Sequence, residues 1–246
     1  MSSKLALESP ATLTSLREPV ALNWSAGDWP VRRQQSLFEH VPWFYVFCRE
    51  KLFRDDTERI ARAVWPDSSP TPGTRLLELG CGPGFYACRF ALRYPQLSVV
   101  GVDRSERQLA WAQTRARALG LRNCEFRRSN ALAIALEYAQ VDVLIASRLF
   151  TVVAERERAM SEIHRVLRPG GLCFIAEPRR LLRASVPLIA MWVLACATRF
   201  HNGYREPHFA TILSRSEFTC LRASSPWKRY DCWCDERYQY ALCEKE

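Results

Sequence analysis

Short apolar runs alternate along this chain with longer segments in which apolar residues recur every three or four positions. The runs lie at residues 74–80, 97–103, 141–147 and 171–177, and a weaker, more polar strand is predicted at 124–130. Between the second and third runs, Leu109, Ala112, Ala116 and Leu119 fall on one face of a helix that is expected to stop at Gly120. Strands that alternate with helices at this spacing predict an α/β fold, with a mostly parallel sheet and helices on both faces.

Helix starts and ends carry their own signals. Ser105 precedes Gln108, and Ser214 precedes Glu217, at the spacing of a capping box. Another helix is predicted over residues 155–168 and is expected to end at the Pro-Gly-Gly turn that follows it.

The two ends of the chain differ from this alternating pattern. Residues 227–235 and 237–245 are strand-like and almost adjacent, so they are expected to pair antiparallel. Residues 1–72 are predicted to form a tail and an aromatic-rich helical cap, which a proline-rich linker joins to the main domain. That domain is predicted over residues 73–246, with a cap insertion at about 179–213.

Composition adds the expectation of a soluble, cytoplasmic protein. The chain has 246 residues, of which 48% are hydrophobic and 25% charged, as in ordinary globular domains. Its N-terminus lacks the apolar core of a signal peptide. The apolar run 184–198 is shorter than the roughly 20 residues that span a bilayer, and it contains a proline. This run predicts a buried or interfacial helix, and peripheral contact with a membrane stays open.

The net charge and the cysteine spacing limit the kinds of binding partner and metal site that the sequence predicts. The net charge of +9 invites a nucleic-acid hypothesis, but the chain has no lysine-rich block and no aromatic RNA-binding motif. Nucleic acid is therefore disfavoured as a partner. The ten cysteines lack the paired spacing of metal sites, which predicts free thiols and no metal ligands.

The first apolar run ends in a glycine-rich turn with one acid, Glu78, ahead of it. The glycines are Gly80, Gly82 and Gly84, whereas a dinucleotide fingerprint would place its third glycine where Phe85 stands. Asp103 ends the next run, at the edge where a carboxylate can accept both hydroxyls of a ribose. The pattern favours an adenosyl ligand without a pyrophosphate, and an NAD-dependent oxidoreductase is the alternative.

Three motifs in register carry a family resemblance. Residues 78–84, 99–103 and 164–171 resemble the Rossmann-like S-adenosylmethionine-dependent methyltransferases, most closely the small-molecule branch. The resemblance covers about residues 73–178. It implies a methyltransferase with S-adenosylmethionine as cofactor, and a seven-stranded sheet that ends in an antiparallel hairpin. Nucleic-acid or protein methylation, and a non-catalytic use of the fold, are the other possibilities within it.

The resemblance also implies which residues bind the cofactor. They are Glu78, Gly80, Cys81, Gly82, Gly84, Asp103, Arg104, Asn130, Ala131 and Ser147. Asp103 would bind the ribose hydroxyls, with Arg104 flanking the adenine. Asn130 stands where many relatives have an aspartate that meets the adenine amino group, and its amide oxygen can accept the same hydrogen bond.

The sequence says less about the residues that contact the methyl acceptor than about those that bind the cofactor. Methyl transfer is a direct displacement that depends on alignment, and it needs a base only when the acceptor must lose a proton. Candidate proton acceptors are His201, Tyr204 and His208, with His40 a weaker one. Candidate acceptor contacts are Tyr45, Arg148 and Arg179. Arginines beside an apolar cap predict a small acceptor that is aromatic or apolar and carries an anionic group. The protein is expected to be a monomer or homodimer.

Overall fold

The computed structural model describes Phe47 and residues 54–67, 69–179 and 212–246. Within these ranges the strands are β1 (Arg75–Leu79), β2 (Ser98–Asp103), β3 (Cys124–Arg128), β4 (Val141–Ser147), β5 (Leu167–Pro178), β6 (Trp227–Cys234) and β7 (Tyr238–Lys245). The helices are α1 (Thr57–Val64), α2 (Phe85–Arg93), α3 (Glu106–Ala118), α4 (Arg156–Val166) and α5 (Arg215–Ala223).

The strands form one seven-stranded sheet in the order β3-β2-β1-β4-β5-β7-β6. The pairs from β3 to β5 are parallel, and β7 is antiparallel to both β5 and β6. The predicted fold class and the predicted C-terminal hairpin are therefore confirmed. Because the order of the sheet reverses between β1 and β4, the crevice outside their carboxyl ends is the expected place for a ligand.

Neighbouring residues of each central strand enter opposite layers of the core. In β1, Leu77 packs in the layer that contains α4 and α5, whereas Leu76 packs in the layer that contains α1, α2 and α3. Both side chains are at most 1% exposed. A parallel sheet buried on both faces in this way explains why its strands read as continuous apolar runs in the sequence.

α1 is anchored to the sheet by a buried carboxylate. Asp56 is 2% exposed and accepts hydrogen bonds from the Tyr240 hydroxyl at 3.2 Å and from Arg59 Nε at 3.2 Å. The backbone N–H of Asp56 donates to the Tyr86 hydroxyl of α2 at 3.4 Å. The start of α1 therefore lies beside the helix that follows the glycine turn.

The helix predicted over residues 155–168 is shorter in the structure. α4 ends at Val166, and β5 begins at Leu167, which is fully buried and pairs with Val141 of β4. The Pro-Gly-Gly segment lies inside β5, not at the end of a helix. Strand pairing and burial of Leu167 outweigh the helical pattern at this point.

The helix predicted to begin after Ser105 does so, although only one half of its capping box forms. Ser105 Oγ accepts from Gln108 N at 3.4 Å. Ser214 Oγ accepts from Glu217 N, and Glu217 Oε2 accepts from Ser214 N, which completes the predicted capping box of α5.

Asn123 is expected to hold the end of α2 against the start of β3. Its Nδ2 lies within hydrogen-bond reach of three backbone oxygens, those of Ala91 (3.1 Å), Tyr94 (3.4 Å) and Leu97 (3.1 Å). Removing the amide leaves half-buried carbonyls without this donor, so Asn123→Ala should lower the free energy of unfolding by about 1–2 kcal/mol. Denaturant unfolding measures it, with the exposed Gln113→Ala as control. Equal values for both variants would contradict the assignment.

Candidate active site

The glycine turn is tied to the neighbouring strand by its backbone. The N–H groups of Gly80 and Cys81 both donate to the Val102 carbonyl at 2.9 Å. Gly80, Gly82 and Gly84 have φ of 71°, 52° and 72°, a left-handed conformation that side chains disfavour. A Cβ added at Gly80 would lie 3.1 Å from Leu149 Cδ1. The turn therefore keeps its backbone bare at the carboxyl edge of β1.

Cys81 lies inside this turn but is not a reactive thiol. Its side chain is 4% exposed, and its Sγ lies 3.6 Å from the Gly82 carbonyl. Burial raises the pKa of the Cys81 thiol well above its usual value, with the nearby carboxylates of Asp103 and Glu78 adding to the shift. The thiol therefore stays protonated and packs beneath the turn.

Glu78 supports the helix that follows the turn. α2 is capped by Gly84, which has no side chain to offer, and Glu78 Oε2 accepts from Ala87 N at 2.7 Å instead. Glu78 is 4% exposed. A carboxylate at a helix N-terminus satisfies an otherwise unpaired N–H and interacts favourably with the helix dipole. In the structure, Glu78 fixes the direction of α2 relative to the turn.

Asp103 joins the glycine turn to the start of α3. Its Oδ2 accepts from Gly82 N at 2.8 Å, and its Oδ1 accepts from Ser105 N at 2.9 Å. Burial raises the pKa of Asp103, and the two N–H donors oppose the shift because they favour the charged form. The structure therefore brings Asp103 and Gly82 into contact across two strand ends, and the predicted contact of Asp103 with ribose hydroxyls stays a prediction.

The residues predicted to flank the adenine lie next to β2 and β3. Arg104 is exposed directly after Asp103, and Asn130 and Ala131 are half-buried just beyond β3. Asn130 Oδ1 accepts from Leu132 N at 3.0 Å, which folds this loop back on itself. The amide oxygen thus orders the loop, and its predicted contact with an adenine stays a prediction.

Ser147 and Arg148 lie at the carboxyl end of β4, next to the glycine turn. Ser147 is the last residue of β4 and is half-buried. Arg148 has φ of 59°, and its backbone N–H donates to the Ala176 carbonyl at 2.8 Å. Its Nη1 donates to the Tyr238 hydroxyl at 2.8 Å. The side chain therefore points toward the first residue of β7.

Glu177, to which the sequence pattern assigns no role, lies beside the loop that follows β4. It is fully buried near the end of β5, and its two oxygens accept from Phe150 N at 2.8 Å and from Thr151 Oγ1 at 2.6 Å. Burial raises the pKa of Glu177 to about 7, opposed by these hydrogen bonds and by the charge of Arg148. An acid at the end of an apolar strand is the signal that singled out Asp103, and it is present here too.

Arg179 lies on the tip of the C-terminal hairpin. Its backbone N–H donates to the Arg237 carbonyl at 2.8 Å, and its Nη1 donates to the Asp235 carbonyl at 2.9 Å. These bonds hold the end of β5 to the β6–β7 turn. The predicted contact of Arg179 with an acceptor stays a prediction.

Several candidates lie outside the described residues. They are Tyr45, His40, His201, Tyr204 and His208, together with the apolar run 184–198 and most of the predicted insertion. Within the described ranges, no helix is long and apolar enough to cross a membrane. In the same part of the chain, no three His, Cys, Asp or Glu side chains are grouped so that they could hold a metal ion.

Comparison with known proteins identifies relatives of this chain. A family model described as a methyltransferase domain matches residues 70–218. The ubiquinone biosynthesis O-methyltransferase of Rhizobium johnstonii is 33% identical over 163 residues, which cover 65% of this chain and 62% of that protein. The trans-aconitate 2-methyltransferase of Variovorax paradoxus is 30% identical over 162 residues, which cover 63% of this chain and 59% of that protein.

Solved structures agree on the fold. A SAM-dependent methyltransferase from Aquifex aeolicus superposes with a TM-score of 0.59 at 18% identity, covering 82% of this chain and 97% of the other. This chain spans about three fifths of the length of the curated relatives it matches. The residues matched by the family model include the glycine turn and the strand ends described above.

Proposed function

The chain belongs to the Rossmann-like S-adenosylmethionine-dependent methyltransferase family, and we propose that it transfers a methyl group to an oxygen atom of a small, aromatic or apolar acceptor. The observation that carries the proposal is the clamp of Asp103 on Gly82 and Ser105, which holds a bare glycine turn beside a carboxylate. Relatives named O-methyltransferases support oxygen as the acceptor atom.

The residues of this crevice fit S-adenosylmethionine. Gly80 is exposed at the end of β1 and has no side chain, so a ligand can approach its backbone closely. The Asp103 carboxylate suits two ribose hydroxyls, and Phe85 replaces the glycine of a pyrophosphate-binding turn. S-adenosylmethionine would supply a methyl carbon activated by its attachment to a sulfonium.

The protein's part in such a reaction is alignment and exclusion of water. The acceptor oxygen would form a bond to the methyl carbon as the carbon–sulfur bond breaks, and the electron pair would leave with the sulfur. A hydroxyl acceptor would also release its proton to a base or to water. Ser147 and the loop after β4 lie where the acceptor would have to approach.

Calorimetric titration with S-adenosylhomocysteine tests the proposal. We expect micromolar binding by the wild-type protein and at least tenfold weaker binding by Asp103→Ala, because a carboxylate that accepts hydrogen bonds from ribose contributes about 1.5–3 kcal/mol. Titration with NAD should give no heat of binding. Methyl transfer from S-adenosylmethionine to a panel of phenols and carboxylic acids would then identify acceptors.

Two controls separate binding from folding. Asp67→Ala removes an exposed acid and should leave the affinity unchanged. Thermal unfolding of Asp103→Ala and Asp103→Asn, without ligand, shows whether the turn itself survives. NAD binding in place of S-adenosylhomocysteine would favour an oxidoreductase, and binding of neither would point to a non-catalytic use of the fold.

A further inference from the structure

The loop that begins at Arg148 lies directly against the glycine turn. Leu149 is 5% exposed, and its Cδ1 is only 3.1 Å from where a Cβ at Gly80 would be. Since β4 pairs with β1, the residue after β4 emerges beside the residues that follow β1. The backbone of Arg148 therefore lies beside the glycine turn, and its side chain extends from there toward Tyr238 at the start of β7.

The backbone of Arg148 is held in an unfavourable conformation. Among the described residues, only Ala139 and Arg148 are non-glycine residues with positive φ. The left-handed region costs an ordinary residue about 1–2 kcal/mol, and such strain is concentrated at functional sites. Here the hydrogen bond to Ala176 and the buried Glu177, which binds Phe150 and Thr151, hold the loop in place.

Tyr238 fixes the direction of the guanidinium. Its hydroxyl oxygen accepts from Arg148 Nη1 at 2.8 Å, and its side chain is only 7% exposed. Its ring stacks on that of Tyr240, with centroids 6.2 Å apart and planes at 25°. Its backbone is paired with Pro178 in the sheet. The oxygen that receives the guanidinium is thus part of the rigid core, not of a mobile surface.

A positive charge fixed in this way has a specific use. The guanidinium is half-buried, so its attraction for an anion is stronger than that of an exposed arginine. We propose that Arg148, aimed by Tyr238, binds a negatively charged oxygen group of the methyl acceptor, so that the substrate is a small carboxylate. This inference rests on the proposed function, because it assigns a substrate class to the same site.

Tyr238 is a positioning residue in this arrangement, whereas the charge of Arg148 selects between acceptors. The carboxylate would dock on Arg148 while the methyl-accepting oxygen faces the cofactor side of the crevice. The accepting oxygen belongs either to that carboxylate or to a hydroxyl elsewhere on the molecule. In both cases Arg148 sets which small molecules enter.

The test compares carboxylates with neutral amides of the same shape. Benzoate, cinnamate and 3,4-dihydroxybenzoate, each beside its amide, are titrated into wild-type protein saturated with S-adenosylhomocysteine. We expect at least one carboxylate to bind tenfold or more tightly than its amide. Arg148→Gln should abolish that preference, and Tyr238→Phe, which keeps the ring stack, should reduce it several-fold. Binding of the amides should be unchanged in both variants.

Arg168→Gln is the matched control, since it removes one positive charge at the opposite edge of the sheet, where Arg168 pairs with Asp142. It should leave the preference intact. Equal binding of every carboxylate and its amide by the wild type, including no binding of any, would overturn the inference, as would an unchanged preference in Arg148→Gln. Saturation with S-adenosylhomocysteine is measured first, so that failure of the proposed cofactor is seen separately.

Discussion

Replacing Gly84 with alanine is expected to lower the free energy of unfolding by about 3 kcal/mol. Two costs add: a left-handed conformation, with φ of 72°, costs an L-residue about 1–2 kcal/mol, and overpacking of a buried site costs about 1–3 kcal/mol. The added Cβ would lie 2.7 Å from Phe126 Cζ and 2.9 Å from Ala112 Cβ. Denaturant unfolding measures the loss.

The two costs can be separated in the same protein. Gly120 has φ of 66° but nothing within 4 Å of an added Cβ, so Gly120→Ala should show the conformational cost alone. In a Phe126→Leu background, Gly84→Ala should lower the free energy of unfolding by less than in the wild type, because the phenyl ring that the added Cβ would contact is absent. Similar losses for Gly84→Ala and Gly120→Ala would mean that the clash is relieved at no cost.

Glu177 is expected to make the protein less stable as the pH rises from about 4.5 to about 7. Its pKa in the folded protein is about 7 and its ordinary value is 4.5. Between these values the folded state keeps a proton that the unfolded state releases, so stability falls with rising pH across this window and is level above it. The full change is about 3 kcal/mol, at 1.36 kcal/mol for each unit of pKa.

Glu177→Gln isolates this effect. The amide oxygen can accept from Phe150 N, and the amide N–H can donate to Thr151 Oγ1, so the loop keeps both contacts. Subtracting the unfolding free energy of the variant from that of the wild type at each pH should give a difference that falls from pH 4.5 to 7. Glu244→Gln should give the opposite slope at acid pH, because hydrogen bonding to Lys228 lowers the pKa of Glu244. A flat difference for Glu177→Gln would show that folding does not raise the pKa of Glu177.

The fold was predictable because its central strands β1, β2, β4 and β5 are buried on both faces and each is followed by a clear break. The glycine turn and Asp103 were predictable for a related reason: both lie at strand ends, where a polar residue in an apolar run is conspicuous. The end of α4 could not be predicted, because the helical pattern of apolar residues continues through Leu167. Only the pairing of Leu167 with Val141 makes Leu167 a strand residue.

Tyr238 could not have been found from the sequence. Its hydroxyl meets Arg148 across 90 positions of chain, through an antiparallel pairing whose register no local pattern specifies. Glu177 was visible but ambiguous, since a carboxylate after an apolar strand fits a metal ligand, a ligand contact or a structural acceptor equally well. Only its bonds to Phe150 and Thr151 distinguish these roles.

The order β5-β7-β6 has a consequence for refolding. β6 precedes β7 in the chain but touches the sheet only through it, so a partly folded molecule in which β7 has not paired leaves β6 with no neighbour in the sheet. An unpaired strand is a template for association with other chains. Substitutions that slow the docking of β7 onto β5 should therefore increase aggregation during refolding at high protein concentration.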